Sequence, residues 1–211
     1  MDLKQIYEYT VLGNAPKVKE VAQQAVEQGV SPGEIITQYL IPAMAEVGDR
    51  FERNEYYVPE LLIAARAMQG AMAILRPLLV EGEVTAAGTV IIGTVKGDLH
   101  DIGKNLVAMM LEGAGFEIVD LGVDVAPDKF VTAIVEHQAQ LVALSALLTT
   151  TMPSMRTTIE AIRSAGLRDR VAVLIGGAPV TQRYAAEIGA DGYAPDANSA
   201  VRKAKELLHV A

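Results

Sequence analysis

The first 80 residues show the hydrophobic spacing of helices. Apolar side chains recur there at intervals of three and four residues, as on helices that bury one face. This spacing predicts four helices, over about residues 3–12, 17–28, 31–51 and 58–80. Ser31, Pro32 and Glu34 form a capping-box start signal, and Pro42 is expected to kink the third helix or to lie near an end. Four helices with short connections predict a small bundle.

A different pattern begins after residue 88. Short apolar runs rich in β-branched residues alternate with helix-length segments, which is typical of a parallel sheet covered on both faces. The runs predict five strands, at residues 89–95, 116–121, 141–147, 171–175 and 192–194. We therefore expect an α/β fold in which a four-helix bundle precedes a doubly wound, flavodoxin-like or Rossmann-like sheet of order 2-1-3-4-5.

The change of pattern also divides the chain. Residues 81–88 are small or polar, as in a linker, and they separate the helical spacing from the alternating strands and helices. We expect a helical domain with its linker at residues 1–87 and an α/β domain at residues 88–211.

Charge and composition narrow the chemistry. Lys and Arg total 18 against 26 Asp and Glu, a net charge of −8, which argues against a nucleic-acid partner. Cysteine is absent, so disulfides, thiolate zinc sites and iron–sulfur clusters are excluded, and a metal would need histidine, carboxylate or a cofactor. No run approaches the roughly 18–20 uninterrupted apolar residues of a membrane span. We expect a cytoplasmic protein that does not bind a membrane.

Polar segments follow the first and third predicted strands. In a doubly wound sheet, ligands bind beyond the carboxyl ends of the strands, where the winding reverses between strands 1 and 3. Residues 96–105 and 145–151 are the segments that reach this point, and both are unusually polar for their surroundings. We expect the functional site there.

The first of these segments resembles two phosphate-binding motifs and satisfies neither. Five residues rather than four separate Gly97 from Gly103, and no glycine lies two residues after Gly97. The segment does offer an imidazole, His100, with the carboxylates of Asp98 and Asp101 beside it. A carboxylate can fix the tautomer of a histidine and raise its basicity as a metal ligand. These residues could equally cap the following helix, or form the acidic pocket of a receiver-type domain.

Three separated segments together resemble the signature of cobalamin-binding domains. Residues 98–103 fit Asp-x-His-x-x-Gly, and Ser145-Ala146-Leu147 and Gly176-Gly177 follow at the ends of strands 3 and 4. The longer strings at 97–105 and 119–124 resemble methyl-carrying corrinoid proteins and the cobalamin module of methionine synthase. In the helical half, residues 47–51 and 57–68 resemble the bundle that covers the cofactor in that group.

The resemblance implies a catalytic relay of His100, Asp98 and Thr151. His100 would replace the cofactor's own benzimidazole as the lower cobalt ligand, through Nε2, and so would be the metal ligand. Asp98 would accept a hydrogen bond from the other ring nitrogen, and Thr151 would complete the relay. Proton movement along these residues would help cobalt pass between its four-coordinate reduced form and its methylated, His-ligated form.

The resemblance also implies a set of cofactor contacts. Ser145 and Thr149 would hydrogen-bond the displaced nucleotide tail, and Gly176 and Gly177 would leave room for it, although a glycine pair can equally form a tight strand-to-helix turn. Phe51 and Val58 would cover the upper face of the corrin and exclude water, with Tyr56 and Tyr57 as further candidates. The remaining residues expected at the cofactor are Gly97, Asp101, Ile102, Gly103, Gly122, Leu147, Tyr193 and Ala194.

The function implied is that of a methyl carrier. It would accept a methyl group on Co(I) from a substrate-specific methyltransferase and deliver it from methyl-Co(III) to a second methyltransferase, which acts on tetrahydrofolate or a thiol coenzyme. A reductive activase would be a further partner, and the chain alone would be non-catalytic. Methylamines, methanol, glycine betaine and methoxylated aromatics all remain open as donors.

Other functions share parts of this signature. The small subunit of an adenosylcobalamin mutase has Asp-x-His-x-x-Gly and the paired glycines, but its upper cofactor face is covered by a large subunit rather than by a helical segment. A cobalamin-dependent sensor or regulator adds a basic DNA-binding module, whereas residues 1–87 contain seven basic and twelve acidic residues. A flavodoxin or receiver domain would bind no cobalt.

Overall fold

Two compact units, residues 1–85 and 86–211, make up the chain in the computed structural model. The structure describes residues 2–80, 82, 84 and 86–210. Three positions of the expected linker, residues 81, 83 and 85, lie outside the described residues.

The first unit is built from helices that pack side by side. Asn14 caps α2, since its Oδ1 accepts a hydrogen bond from the Lys17 amide at 3.3 Å, and Ser31 Oγ accepts from the Glu34 amide at 3.2 Å. The α-helices are α1 (Lys4–Val11), α2 (Ala15–Glu27), α3 (Pro32–Ile35), α4 (Ile41–Glu52) and α5 (Val58–Leu75), with a π-helical turn at Ile36–Leu40 and a 3₁₀ turn at Arg76–Leu78.

The segment predicted as one helix from residue 31 to residue 51 is interrupted by the π-helical turn. Pro42 lies in the first turn of α4, and its nitrogen has no hydrogen to donate to the carbonyl four residues earlier. The chain widens just before it, and the Ile41 amide donates to the Ile36 carbonyl, five residues back. The proline is accommodated by this wider turn, close to the start of α4.

Helix α5 supplies much of the core of the first unit. By length and composition alone, Val58–Leu78 is the one helical stretch among the described residues that could cross a membrane, with a mean hydropathy of 1.3. Two basic residues, Arg66 and Arg76, interrupt it. It packs against α1, α2 and α4 and buries Leu61, Met68 and Leu75. The central helix of a bundle meets the same criterion, so the stretch does not by itself indicate a membrane.

The second unit is a parallel sheet with helices on both faces. Its strands lie in the order β2-β1-β3-β4-β5 within the described residues, so the predicted α/β fold and strand order are confirmed. The strands are β1 (Thr89–Thr94), β2 (Glu117–Asp120), β3 (Leu141–Ser145), β4 (Ala172–Gly176) and β5 (Gly192–Ala194). The helices are α6 (Ile102–Gly113), α7 (Pro127–Glu136), α8 (Pro153–Ser164), α9 (Gln182–Ile188) and α10 (Ala197–Leu208).

The core of this unit includes residues from the two strands that meet at the switch point. Ile91 of β1 and Val142 of β3 are fully buried with Phe130 of α7 and Met155 of α8. Strands β1 and β3 pair directly, with Thr94 opposite Ser145 at their carboxyl ends. The connections that follow β1, β2 and β3 therefore leave the sheet side by side.

Candidate functional site

The connection from β1 to α6 places one carboxylate inside the protein and one imidazole outside it. Asp98 is fully buried, whereas the His100 side chain is 50% exposed. The two side chains are hydrogen-bonded, with 2.7 Å between His100 Nδ1 and Asp98 Oδ1. Asp98 Oδ1 also accepts from the His100 amide at 3.1 Å, so the carboxylate holds both the backbone and the ring of this residue.

The second oxygen of Asp98 is held by the connection from β3 to α8. Asp98 Oδ2 accepts from Thr151 Oγ1 at 2.6 Å and from the Leu147 amide at 2.8 Å. Burial by itself raises the pKa of Asp98, but the hydrogen bonds from Thr151, Leu147 and His100 outweigh burial and leave that pKa below its usual range. Asp98 is therefore an ionised carboxylate at neutral pH.

The charge on Asp98 determines the tautomer of His100. An ionised carboxylate only accepts hydrogen bonds, so His100 Nδ1 must carry the proton in this contact. In the neutral imidazole the other nitrogen, Nε2, is then unprotonated and has a free lone pair. A half-exposed imidazole in this state could bind a metal ion, with its orientation already fixed.

Further contacts fix the loop around His100. The buried hydroxyl of Thr94 donates to the His100 carbonyl at 2.8 Å. Asp101 stands at the N-cap position of α6, but its side chain makes no capping hydrogen bond. It accepts instead from Asn105 Nδ2 at 3.1 Å. Helix capping, one open explanation for this carboxylate, is therefore not what the structure shows.

Exposed apolar side chains lie in the His100 loop and in the connection after β3 that holds Asp98. Leu99 is 72% exposed and Ile102 85% exposed, and Leu147 and Leu148 are also exposed where β3 ends. A rim of apolar groups around a polar ligand suits a flat, largely apolar partner such as a macrocycle. Ile102 and Leu147 were among the residues predicted at the cofactor, whereas Leu99 and Leu148 were not. No local signal in the sequence identifies these two, because an exposed leucine and a buried one look alike there.

The two glycines at the end of β4 have little room for a side chain. Gly177 has a φ of +132°, and a Cβ there would lie 1.9 Å from the Ala146 carbonyl oxygen. A Cβ on Gly176 would lie 3.1 Å from the Ala194 carbonyl oxygen. The ends of β3, β4 and β5 thus approach so closely that a side chain at residue 177 has no space. This requirement exists whether or not these glycines also make room for a ligand.

The other residues expected at the cofactor lie along the same edge of the sheet or in the first unit. Ser145 is the last residue of β3 and is half-buried, and Thr149 is exposed in the loop after it. On β5, Tyr193 is half-buried and Ala194 is buried beside Gly176. A Cβ on Gly97 would meet only Thr151, at 3.7 Å, and one on Gly103 or Gly122 would meet nothing within 4 Å.

The two expected cap residues flank the loop between α4 and α5. Phe51 is half-buried in the last turn of α4, and Val58 is exposed at the first position of α5. Arg50 and Tyr56 fix this loop, since Arg50 Nη1 lies 3.2 Å from the Tyr56 hydroxyl. That hydroxyl donates to the Val11 carbonyl at 3.1 Å. The contacts of Phe51 and Val58 with a cofactor stay predictions.

Within the described part of the chain, no group of three or more His, Asp or Glu side chains could hold a metal ion. His100 accordingly stands as a single imidazole with one carboxylate behind it.

Comparison with known proteins places both units in one family. Residues 88–202 match the family model described as a B12 binding domain, and residues 2–76 match a second model with the same description. The chain is 46% identical over 194 residues to dimethylamine corrinoid protein 1 of Methanosarcina acetivorans, covering 90% of this chain and 91% of that protein. It is 44% identical to the trimethylamine corrinoid protein of Methanosarcina barkeri, covering 91% of this chain and 89% of that protein.

Among solved structures, the chain matches the methanol:cobalamin methyltransferase complex of Methanosarcina barkeri with a TM-score of 0.88 and 26% identity, covering 99% of this chain and 80% of that chain.

Proposed function

Because the chain belongs to the B12 binding domain family through both of its units, we propose that it is the methyl carrier of a corrinoid-dependent methyltransferase system. Its cofactor is cobalamin or a related corrinoid. The observation that carries the proposal is the hydrogen-bonded series His100–Asp98–Thr151, which leaves one imidazole nitrogen free at the switch point of the sheet.

The residues at the switch point fit a corrinoid. His100 Nε2 would coordinate cobalt, since Asp98 holds the proton on Nδ1. The exposed side chains of Leu99, Ile102, Leu147 and Leu148 would contact apolar parts of the ring. When bound, the corrinoid supplies a cobalt centre that takes up and gives back a methyl group.

Asp98 and Thr151 would adjust how strongly His100 binds the metal. Hydrogen bonds to the charged carboxylate keep it ionised, and an ionised carboxylate strengthens the imidazole as a donor. A proton that reached Asp98 through Thr151 would weaken that donor. Asp98 and Thr151 would thus let the chain vary how strongly His100 binds the metal.

Several predicted residues would serve the rest of the cofactor. Ser145 and Thr149 would hydrogen-bond the nucleotide tail in a slot bordered by Gly122, Tyr193 and Ala194. In the first unit, Phe51 and Val58 would be the apolar residues that shield the reactive face from water.

The partners follow from the carrier function. A substrate-specific methyltransferase would load the chain, a second methyltransferase acting on tetrahydrofolate or a thiol coenzyme would unload it, and a reductive activase would restore the reduced cofactor. The relatives named for dimethylamine and trimethylamine support methylamines as the donor class. We propose that such a carrier operates in the cytoplasm.

The test is methyl uptake by the reconstituted protein. We expect the protein loaded with hydroxocobalamin, then reduced with titanium(III) citrate, to take a methyl group from dimethylamine or trimethylamine in the presence of the matching methyltransferase. Loss of the reduced-cofactor absorption and release of the less methylated amine would report transfer. Methanol with its own methyltransferase tests the competing donor.

A variant pair connects this test to the proposed ligand. His100→Ala is expected to bind cobalamin more weakly by at least about 10- to 100-fold, the range for losing a residue that only supports a metal ligand, and to lack the spectrum of His-ligated cofactor. His137→Ala, which changes an exposed histidine at the end of α7, should behave as the unaltered protein. Equal binding and absorption in both variants would reject ligation by His100. Retention of cobalamin without methyl uptake from any donor would favour a mutase subunit or a sensor.

A further inference from the structure

The connection from β2 to α7 contacts the His100 loop on both sides of the histidine. This connection carries two aspartates, Asp120 at the end of β2 and Asp124 four residues later. We infer that these two aspartates are positioning residues, which hold the His100 loop in the geometry that cobalt ligation needs. The inference rests on the proposed function, because it assigns a role to residues that support the ligand.

The first contact lies on the carboxyl-terminal side of His100. Lys104, in the first turn of α6, is only 3% exposed, and its ammonium forms an ion pair with Asp120 Oδ2. The same ammonium donates to Asn105 Oδ1 at 2.7 Å. A buried ammonium that lost its carboxylate would be strongly unfavourable, so this pair fastens the start of α6 to the end of β2.

The second contact lies on the amino-terminal side. Asp124 Oδ1 accepts from the Gly97 amide at 2.7 Å, and the Asp124 amide donates to the Asp98 carbonyl at 2.9 Å. Asp124 adopts a φ of +52° and Gly97 a φ of +87°, so both residues are held in the left-handed region. The hydrogen bonds therefore fix a tight approach between two loops rather than a loose surface contact.

Backbone contacts connect the two points to the histidine. The other oxygen of Asp120 accepts from the Gly122 amide at 2.8 Å, and the Gly122 carbonyl accepts from the Thr94 amide at 3.0 Å. The Thr94 hydroxyl donates to the His100 carbonyl at 2.8 Å. Gly97, three residues before His100, and Lys104, four residues after it, are thus both fixed by one connection.

The geometry of a metal ligand has a narrow tolerance. If the residues around a ligating side chain let it move by more than about 0.5 Å, the bond between that side chain and the metal weakens. Asp98 controls the ring of His100 and is itself held by the connection from β3 to α8. The β2–α7 connection adds contacts at positions 97 and 104, on either side of Asp98 and His100, so its aspartates are expected to affect ligation through the position of the loop.

The test separates ligation from folding. Asp124→Gly removes the acceptor while tolerating the positive φ, and Asp124→Asn keeps an acceptor oxygen and also tolerates it. Lys104→Met removes the ammonium while keeping an unbranched side chain. Asp169→Asn, an exposed aspartate in the connection from α8 to β4, is the matched control.

Each protein is labelled with ¹⁵N-histidine, loaded with hydroxocobalamin, reduced to the cobalt(II) state and studied by electron paramagnetic resonance. A histidine ligand splits the cobalt lines into doublets, whereas the cofactor's own ¹⁴N base gives triplets. We expect doublets for the unaltered protein, Asp124→Asn and Asp169→Asn. We expect loss of doublets and an increase of about 10- to 100-fold in the cobalamin Kd for Asp124→Gly and Lys104→Met.

The outcomes distinguish the two proposals. Absence of doublets in the unaltered protein would reject ligation by histidine and with it the proposed function. Doublets that persist in Asp124→Gly, with a Kd changed by less than about twofold, would overturn the positioning role alone. Circular dichroism of each variant verifies folding, and should Lys104→Met fail to fold, the comparison of Asp124→Gly with Asp124→Asn decides the question.

Discussion

Asp98 is the residue whose hydrogen bonds connect the parts of the site. Its carboxylate is buried, and it accepts hydrogen bonds from Thr151, the Leu147 amide and His100. Removing one donor leaves a charged acceptor with less compensation, which is more damaging than losing a hydrogen bond between neutral groups. The stability of the site is therefore coupled to its ability to keep His100 in one tautomer.

Thr151→Val tests this coupling. The substitution keeps the shape of the side chain and removes the hydroxyl that donates to Asp98 at 2.6 Å. We expect the free energy of unfolding to fall by about 1.5–3 kcal/mol, the range for hydrogen bonds to charged groups. Urea denaturation measures it. Thr157→Val, at an exposed position on α8, should change it by less than about 0.5 kcal/mol, and an equal effect of the two would contradict the argument.

The sequence predicted this part of the site better than its surroundings. The residue types and the spacing of Asp98 and His100 point to a carboxylate–imidazole pair, because two positions on one short loop must lie close together. The resemblance added Thr151, which is 53 residues away from Asp98. Leu99 and Leu148 were missed, since nothing local distinguishes an exposed leucine from a buried one, and the exposed face depends on how the loop turns.

At the scale of elements, the ends of the strands decide where the loops begin. Strand β3 was expected to run to residue 147 but ends at Ser145. The reason is that the Leu147 amide turns away from the sheet and donates to Asp98. A pattern of apolar residues cannot indicate this, because Leu147 and Leu148 are as apolar as the strand that precedes them.

The glycine after β4 gives a prediction at this scale. In Gly177→Ala, the new Cβ would clash with the Ala146 carbonyl oxygen, and the backbone would be strained at a φ of +132°. We expect the free energy of unfolding to fall by at least about 3 kcal/mol, because both the strand end and the loop must shift. The measurement is thermal or urea unfolding followed by circular dichroism.

Gly166→Ala is the control for that change. Gly166 also has a positive φ, of +71°, but a Cβ there would meet nothing within 4 Å. We expect Gly166→Ala to lower the free energy of unfolding only through backbone strain, by about 1–2 kcal/mol. Were Gly177→Ala no more destabilising than Gly166→Ala, the close approach of β3 and β4 would have no energetic role.

At the scale of the molecule, each unit has its own buried core. In the first unit the buried residues come from α1 to α5, and in the second they come from the sheet and the helices that cover it. The strand order was predictable because alternating strands and helices with right-handed crossovers allow few topologies. The π-helical turn before Pro42 was not, because a proline can be accommodated in several ways and tertiary packing selects among them.

Separate cores predict that the α/β unit folds by itself. A fragment of residues 86–211 keeps the buried cluster around Phe130 and Met155, so we expect a single cooperative unfolding transition and dispersed amide signals. Differential scanning calorimetry and nuclear magnetic resonance provide the measurement. A fragment that melts without cooperativity and binds a hydrophobic dye would show that its core depends on the first unit.

The Asp98 carboxylate also has a consequence for cofactor exchange. Asp98 accepts its hydrogen bonds from its own polypeptide, so the orientation of the His100 ring does not depend on a bound cofactor. A ring whose orientation is already fixed loses little rotational freedom on ligation. We therefore expect that a damaged corrinoid can be exchanged for a fresh one in a single polypeptide, without unfolding and without new synthesis.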